Sequence, residues 1–200
     1  MDIDWLLALG SNMYFFLLVY PILGAGLKYI DDAFDEQTFD KTKALILAPV
    51  IGILGALSML INPISATILL AVVIGVFLKG KVDNRAHLFA FFTFFIIFVL
   101  SGIVQVIYLP LIFLSAAAIL DEVGNDVIDY NMSYHKRKKF RYKFSLYFFG
   151  RRYLMKVALL FVVLMGVFPL YFLIAFILFD EAYIVVSLYS ESIKETASAK

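Results

Sequence analysis

The sequence predicts an all-α fold, a polytopic membrane helix bundle of about six transmembrane helices. Of its 200 residues, 63% are hydrophobic and the mean hydropathy is +0.93, which is more apolar surface than a water-soluble domain of this size buries. Apolar runs follow one another along the chain, separated by helix-breaking or polar segments. Positive charges are concentrated in every second break, as expected of a chain that crosses a membrane repeatedly.

The first three predicted spans cover residues 5–27, 44–61 and 64–78. Pro21 and the glycines that follow it favour a bend near the end of the first span. The Asn62-Pro63 dipeptide is typical of a helix start, with asparagine as the cap and proline in the first turn. We therefore expect a tight turn between the second and third spans.

The apolar stretch at residues 87–120 is too long for one crossing at a rise of about 1.5 Å per residue. We divide it near the Ser101-Gly102 dipeptide into a fourth and a fifth span. The sixth span is predicted at residues 154–179. Residues 1–180 then form a single membrane-embedded helical domain, and residues 181–200 form an interfacial or flexible C-terminal tail.

The distribution of lysine and arginine predicts the orientation of these spans. The second and fourth connections contain neither residue, and two lysines lie in the tail. The other basic residues lie in the first, third and fifth connections: Lys28, Lys41, Lys43, Lys79, Lys81, Arg85, Lys136, Arg137, Lys138, Lys139, Arg141, Lys143, Arg151, Arg152 and Lys156. We therefore expect a multi-pass protein of the cell membrane with its charged connections in the cytoplasm and both termini outside.

Composition and motifs exclude several classes of site. The chain has no cysteine, which excludes disulfides, thiolate ligands and cysteine nucleophiles. No P-loop, zinc motif or Ser-His-Asp set is present, and the acidic N-terminus MDID is unlike a secretory signal. The single strongly basic stretch does not indicate nucleic-acid binding. We expect its residues 136–143 to contact anionic lipid headgroups.

The stretch GLKYIDDAFDEQTFDKTK, residues 26–43, carries an acidic cluster at the end of the first span. If the helix continues past Lys28, Asp31, Asp32 and Asp35 lie at neighbouring positions of its surface. In the alternative interpretation this segment is a solvated helix end, in which Lys28 pairs with Asp31 or Asp32. The next acid, Asp40, then caps the following helix.

A second acidic cluster, LDEVGNDVIDYN at residues 120–131, follows the fifth span. In the alternative interpretation, Gly124 breaks the helix and the stretch is a polar loop. If the helix continues, five polar residues share one sector of its surface: Asp121, Glu122, Asn125, Asp126 and Asp129.

Both acidic clusters are predicted on the cytoplasmic side. Carboxylates in proximity repel one another unless a cation intervenes, and Mg²⁺ is typically held by one or two carboxylates together with substrate phosphate oxygens. A lipid diphosphate, with its tail in the bilayer and its head at the rim, suits such a site. The candidate Mg²⁺ ligands are Asp31, Asp32, Asp35, Asn125, Asp126 and Asp129.

The sequence NDVIDYN, with Asn125, Asp126 and Asp129, resembles the N-D-x-x-D motif of the UbiA-type intramembrane prenyltransferases. Asp32-x-x-Asp35, followed by an acid at position 40, resembles the second aspartate-rich motif of that family. The resemblance implies two cytoplasmic motifs that bind Mg²⁺ and the diphosphate of a prenyl substrate. The metal would neutralise the departing diphosphate.

Four basic residues are candidates for binding substrate phosphate, since they are predicted on the same face as the acidic clusters: Arg85, Lys136, Arg151 and Arg152. In the alternative interpretation, the basic segment only fixes orientation and attracts anionic lipid. No residue is singled out as catalytic.

Two functions follow from these interpretations. The first is an integral membrane enzyme that acts on a prenyl or other lipid diphosphate with Mg²⁺ at the cytoplasmic face. The alternative is a non-enzymatic membrane protein, either an ion or solute transporter or a lipid-binding scaffold. Transport normally requires polar groups near the middle of the bilayer. The spans predicted above place only uncharged ones there, Ser58, Thr93 and Gln105, which favours the enzyme.

Overall fold

A computed structural model of the protein describes residues 4–78, 92–93, 95–97, 105–134, 148 and 151–198. Within these residues the regular secondary structure is α-helix, which confirms the all-α class. The helices with described bounds are α1 (Asp4–Ser11), α2 (Met13–Phe34), α3 (Lys41–Leu60), α4 (Pro63–Leu78), α5 (Tyr108–Tyr134), α6 (Tyr153–Leu164) and α7 (Leu170–Ser198).

The first predicted span is interrupted at Asn12, between α1 and α2. The Asn12 backbone is extended, and its side chain accepts a hydrogen bond from the amide of Tyr14, which caps α2. From there α2 continues through Pro21 and the two glycines that follow it to Phe34. The break in the helix therefore lies near the start of the predicted span, at Asn12, and the bend predicted near its end stays a prediction.

The turn between α3 and α4 has the predicted form. The Asn62 side-chain oxygen accepts hydrogen bonds from the amides of Ile64 and Ser65, at 2.8 and 3.2 Å, so asparagine caps α4 and Pro63 occupies its first position. The Asn62 amide group also donates to the Gly10 carbonyl oxygen at 2.8 Å. This contact joins the start of α4 to the end of α1.

The described helices belong to two compact units. The first unit comprises residues 1–66, 82–105 and 170–200. Within it, α2 packs against both α3 and α7. The contacts with α7 advance together along both helices, so α2 and α7 run parallel: Phe16 lies against Phe172, Gly24 against Phe179, Lys28 against Tyr183, and Glu36 beyond the end of α2 against Lys194.

The second unit comprises residues 67–81 and 106–169. Here α5 and α6 run antiparallel, because Asp121 contacts the first residues of α6 whereas Phe113 packs against Phe161 with ring centroids 5.8 Å apart. Helix α5 continues without a break through Gly124. The helical interpretation of the second acidic cluster is therefore confirmed for its backbone.

The stretch predicted as the sixth span is divided between two helices. Helix α6 ends at Leu164, and Gly166 follows with a left-handed φ of +73°. The amides of Gly166 and Val167 donate to the carbonyl oxygens of Val163 and Val162, at 2.9 and 3.2 Å, which is the Schellman arrangement at a helix end. A new helix, α7, then begins at Leu170 and continues through residues 181–198, the predicted tail.

Three helices in the described part of the chain are long and apolar enough to cross a membrane: Met13–Phe34, Lys41–Leu60 and Leu170–Thr196. Two shorter apolar helices are Pro63–Leu78 and Tyr153–Leu164. The chain is thus a membrane protein by length and composition of its helices. The predicted total of six spans is not confirmed, and the predicted fourth span lies largely outside the described residues.

Candidate functional site

A carboxylate lies inside the apolar part of α7. Asp180 is ten residues after Leu170, or about 15 Å along the helix, and only 3% of its surface is exposed. Its neighbour Phe179 places a carbonyl oxygen against Gly24, near the middle of α2. The sequence placed Asp180 after a predicted span, whereas the helix that begins at Leu170 has Asp180 within its candidate membrane span.

A buried ion pair lies further along the same α2–α7 seam, which we define as the contact between these two helices. The Lys28 ammonium is 2.9 Å from Oδ1 of Asp32 and 3.4 Å from Oδ2 of Asp31. The Lys28 and Asp32 side chains are 15% and 3% exposed, and that of Asp31 is 25% exposed. The Tyr183 ring of α7 lies 5.2 Å from the ammonium, and its hydroxyl donates to Asp31 at 3.5 Å.

The two carboxylates of this group are not equally satisfied. Oδ2 of Asp32 is buried and has no hydrogen-bond partner in the described part of the chain. A buried carboxylate oxygen without a hydrogen-bond partner is costly, so Asp32 can accept a hydrogen bond from a further donor.

The pairing proposed in the alternative interpretation of the first cluster is present. Lys28 contacts both Asp31 and Asp32, and Asp40 caps α3 by accepting from the amides of Thr42 and Lys43, at 2.7 and 3.1 Å. The hydrogen bonds from Lys43 and Thr42 lower the pKa of Asp40 below its ordinary value. The group is not a solvated helix end, however, because Asp32 is buried.

The predicted Mg²⁺ ligands are only partly described. Among the described residues, no group of three or more carboxylates or imidazoles is arranged to hold a metal ion. The Lys28 ammonium contacts Asp31 and Asp32, and Asp35 lies exposed at the end of α2, so Mg²⁺ at these three residues stays a prediction. The side chains of Asn125, Asp126 and Asp129 lie outside the described part, so a metal there stays a prediction.

The predicted phosphate-binding residues are likewise divided. Arg152 forms an ion pair with the buried Glu122, 3.1 Å apart, and Arg151 is partly buried in the same turn. Arg85 and Lys136 lie outside the described residues. Of the predicted phosphate-binding residues, Arg152 thus contacts a carboxylate of its own chain, and phosphate binding by these residues stays a prediction.

Asp121 has a structural partner in α6. Its two carboxylate oxygens accept hydrogen bonds from the amides of Leu154 and Met155, at 3.1 and 2.7 Å, and the residue is 1% exposed. A buried carboxylate at a helix N-terminus is stabilised by these amides and by the helix dipole. Asp121 thus explains how α6 begins without a side-chain cap from Arg152.

The end of α7 is held against the α2–α3 connection in the first unit. The Thr38 and Ser190 hydroxyl oxygens are 2.7 Å apart, and Lys194 forms an ion pair with Glu36. The Phe39 ring stacks between Tyr29 and Tyr189, with centroids 4.4 and 6.1 Å away. Residues 185–196 are therefore part of the packed unit.

Comparisons of the chain with protein-family models, with curated proteins and with solved structures find no match. The resemblance to the UbiA-type prenyltransferases thus stays a prediction that rests on its motifs. The candidate site with described geometry is the α2–α7 seam, with its buried Asp32 and Asp180.

Proposed function

We propose that this chain is a membrane transport protein for small cations, with the α2–α7 seam as the place where the cation is handled. The observation that supports the proposal most is Asp180, a carboxylate buried in the middle of an apolar helix of spanning length. A carboxylate at this depth costs several kcal/mol of insertion free energy, about 2.5–3.5 on translocon scales. Such residues typically line ion or proton pathways.

The rest of the seam provides further polar groups toward the end of α2. Tyr183 follows Asp180 by three residues, or about 4.5 Å along α7, and contacts both Lys28 and Asp31. The buried Asp32 lies beyond them. Charged groups thus extend from the middle of the apolar helices to one end, which a cation crossing that half of the bilayer requires.

The parallel packing of α2 and α7 supports a revised topology. If both helices cross the membrane, the end of α7 lies on the same face as the end of α2. Lys194 then joins Lys28, Lys41 and Lys43 on that face, which the positive-inside rule assigns to the cytoplasm. We therefore propose a cytoplasmic C-terminus and an N-terminus on the opposite side, in place of two external termini.

The test is cation flux into proteoliposomes that contain the purified full chain. We expect uptake of H⁺, Na⁺, K⁺ or ammonium above that of empty vesicles, and at least a tenfold loss in Asp180→Asn. The matched control is Glu191→Gln, an exposed acid on the same helix, which should retain the parent rate. All variants are first compared by size exclusion and melting in detergent.

Two results would contradict the transport proposal. One is a folded parent with no flux of any of these four cations at a protein density that gives several copies per vesicle. The other is an Asp180→Asn variant that transports as fast as the parent. If uptake is absent but Mg²⁺ with a prenyl diphosphate raises the melting temperature, the lipid-diphosphate enzyme becomes the better hypothesis.

A further inference from the structure

We propose that Asp31, Asp32 and Tyr183 form a binding site for an ammonium-type cation, and that the Lys28 side chain is a tethered occupant which a free cation displaces. The inference rests on the proposed transport function and adds to it the chemical class of the cation. It also identifies where in the seam that cation binds.

The surroundings of the Lys28 ammonium are those of an amine-binding site. Carboxylate oxygens of Asp32 and Asp31 lie at 2.9 and 3.4 Å, and the face of the Tyr183 ring lies at 5.2 Å from the nitrogen. Two carboxylates and an aromatic ring recognise a nitrogen cation by hydrogen bonds and cation–π attraction. The face of a ring attracts a nitrogen cation, whereas it supplies no oxygen ligand to Mg²⁺.

One carboxylate oxygen in this site is available to a ligand. Oδ2 of Asp32 is buried and has no hydrogen-bond partner in the described residues, although Oδ1 of the same carboxylate binds Lys28. A purely structural ion pair of this kind is expected to satisfy its buried oxygens, because an unmade hydrogen bond is costly there. Ammonium, with four N–H donors, would satisfy both oxygens of Asp32.

A tethered competitor predicts a specific effect on affinity. While Lys28 occupies the site, only the fraction of molecules in which it has moved away binds a free cation, and the apparent dissociation constant rises by the inverse of that fraction. A buried contact at 2.9 Å implies that this fraction is small. For a site that is open about one tenth of the time, removal of the lysine strengthens binding about tenfold.

Ammonium itself and a primary alkylammonium share this chemistry, and the experiment distinguishes them. Binding is measured by thermal shift and calorimetry on the full chain in detergent. Ammonium, methylammonium, sodium and choline chlorides are titrated at constant ionic strength. Stronger binding of methylammonium indicates a primary amine as the ligand, whereas stronger binding of ammonium indicates the free ion.

The central comparison is between the parent, Lys28→Gln and Lys28→Gln/Asp32→Asn. We expect Lys28→Gln to bind ammonium or methylammonium at least tenfold more tightly than the parent, with choline bound by neither. The double variant should lose this gain. The matched control is Lys43→Gln, an exposed lysine at the start of α3, which should bind as the parent does.

The inference is overturned if Lys28→Gln and the parent bind these cations equally, or if Lys28→Gln prefers neither nitrogen cation over sodium and choline. If Lys28→Gln does not fold, Tyr183→Leu in the parent background replaces it as the test. Loss of the ring should then weaken methylammonium binding several-fold relative to sodium, and an unchanged preference would contradict the site.

The binding assay involves no flux, so its outcome is separate from that of the transport proposal. Saturable ammonium binding without uptake in vesicles contradicts transport and retains the site. If uptake depends on Asp180 but neither the parent nor Lys28→Gln binds ammonium or methylammonium, the transport proposal stands and the binding site at the α2 end of the seam is refuted.

Discussion

Removal of the Lys28 ammonium tests the energetic account of the α2–α7 seam. Lys28→Met leaves Asp32, whose side chain is 3% exposed, without the cation that now lies 2.9 Å away. Breaking a buried pair by removing one partner costs about 3–5 kcal/mol, because the remaining charge stays buried. Asp31 is 25% exposed and regains some hydration, so we expect a loss near the lower limit, about 3 kcal/mol.

A second substitution shows whether the stability lost in Lys28→Met comes from the buried Asp32 carboxylate that remains without its cation. In Lys28→Met/Asp32→Leu both charges are replaced by apolar groups, a change that is often neutral or stabilising. We expect the double variant to recover at least about 2 kcal/mol relative to Lys28→Met. The surface control is Lys194→Met, whose partner Glu36 is 48% exposed, and its cost should be about 0–1 kcal/mol.

The assay is equilibrium unfolding in mixed detergent micelles, followed by helix content, with the parent and the three variants measured at one ionic strength. If Lys28→Met costs no more than Lys194→Met, the ion pair is not buried in solution as it is in the structure. If the double variant is less stable than Lys28→Met, the carboxylate of Asp32 stabilises the fold by itself. Either result would refute the reasoning.

Three further predictions concern single positions. A methyl group at Gly24 would lie 2.0 Å from the Phe179 carbonyl oxygen. Gly24→Ala should therefore lower the free energy of unfolding by at least about 1–3 kcal/mol, as measured by a denaturation curve. As a control, Gly55→Ala should not destabilise the protein, because a methyl group there would lie 3.9 Å from its nearest neighbour. The folded pKa of Asp40 is below its ordinary value of 3.8. Its contribution to the free energy of unfolding is therefore complete above pH 3.8 and is lost as the pH falls through the folded pKa. Acid titrations of the melting temperature should show this loss in the parent and not in Asp40→Ala. Asp121→Ala removes two charge-assisted hydrogen bonds to the start of α6 and should cost about 2–3 kcal/mol, with protection of the Leu154 and Met155 amides lost in hydrogen exchange.

Features that depend on a few adjacent residues were predictable from the sequence. Asn62 caps α4 as its type and its following proline indicated, and Asp40 caps α3 as one interpretation expected. The pairing of Lys28 with Asp31 and Asp32 was also foreseen, since residues three and four apart are neighbours on a helix. In each case, the spacing of residues within one turn of helix was sufficient to predict the contact.

The position of Asp180 could not be obtained in this way. Residues on both sides of Gly166 are uniformly apolar, so hydropathy does not reveal that one helix ends there and another begins at Leu170. The Gly-Val-Phe-Pro sequence at residues 166–169 is a turn signal that sequence reasoning passed over. If residues 154–179 are read as one span, Asp180 falls at its end, and the contact between α2 and α7 is not expected. That contact joins residues far apart in the sequence, and no local pattern encodes it.

The parallel packing of α2 and α7 is the claim on which the site, the topology and the function all depend. Because the chain has no cysteine, disulfide cross-linking of engineered pairs in native membranes tests it directly. The Thr38 and Ser190 hydroxyl oxygens are 2.7 Å apart, so Thr38→Cys/Ser190→Cys should form a disulfide on mild oxidation, while Thr38→Cys/Leu170→Cys, with one cysteine at the far end of α7, should not. A disulfide in the second pair and none in the first would mean that α7 runs in the opposite direction, and the account would be wrong.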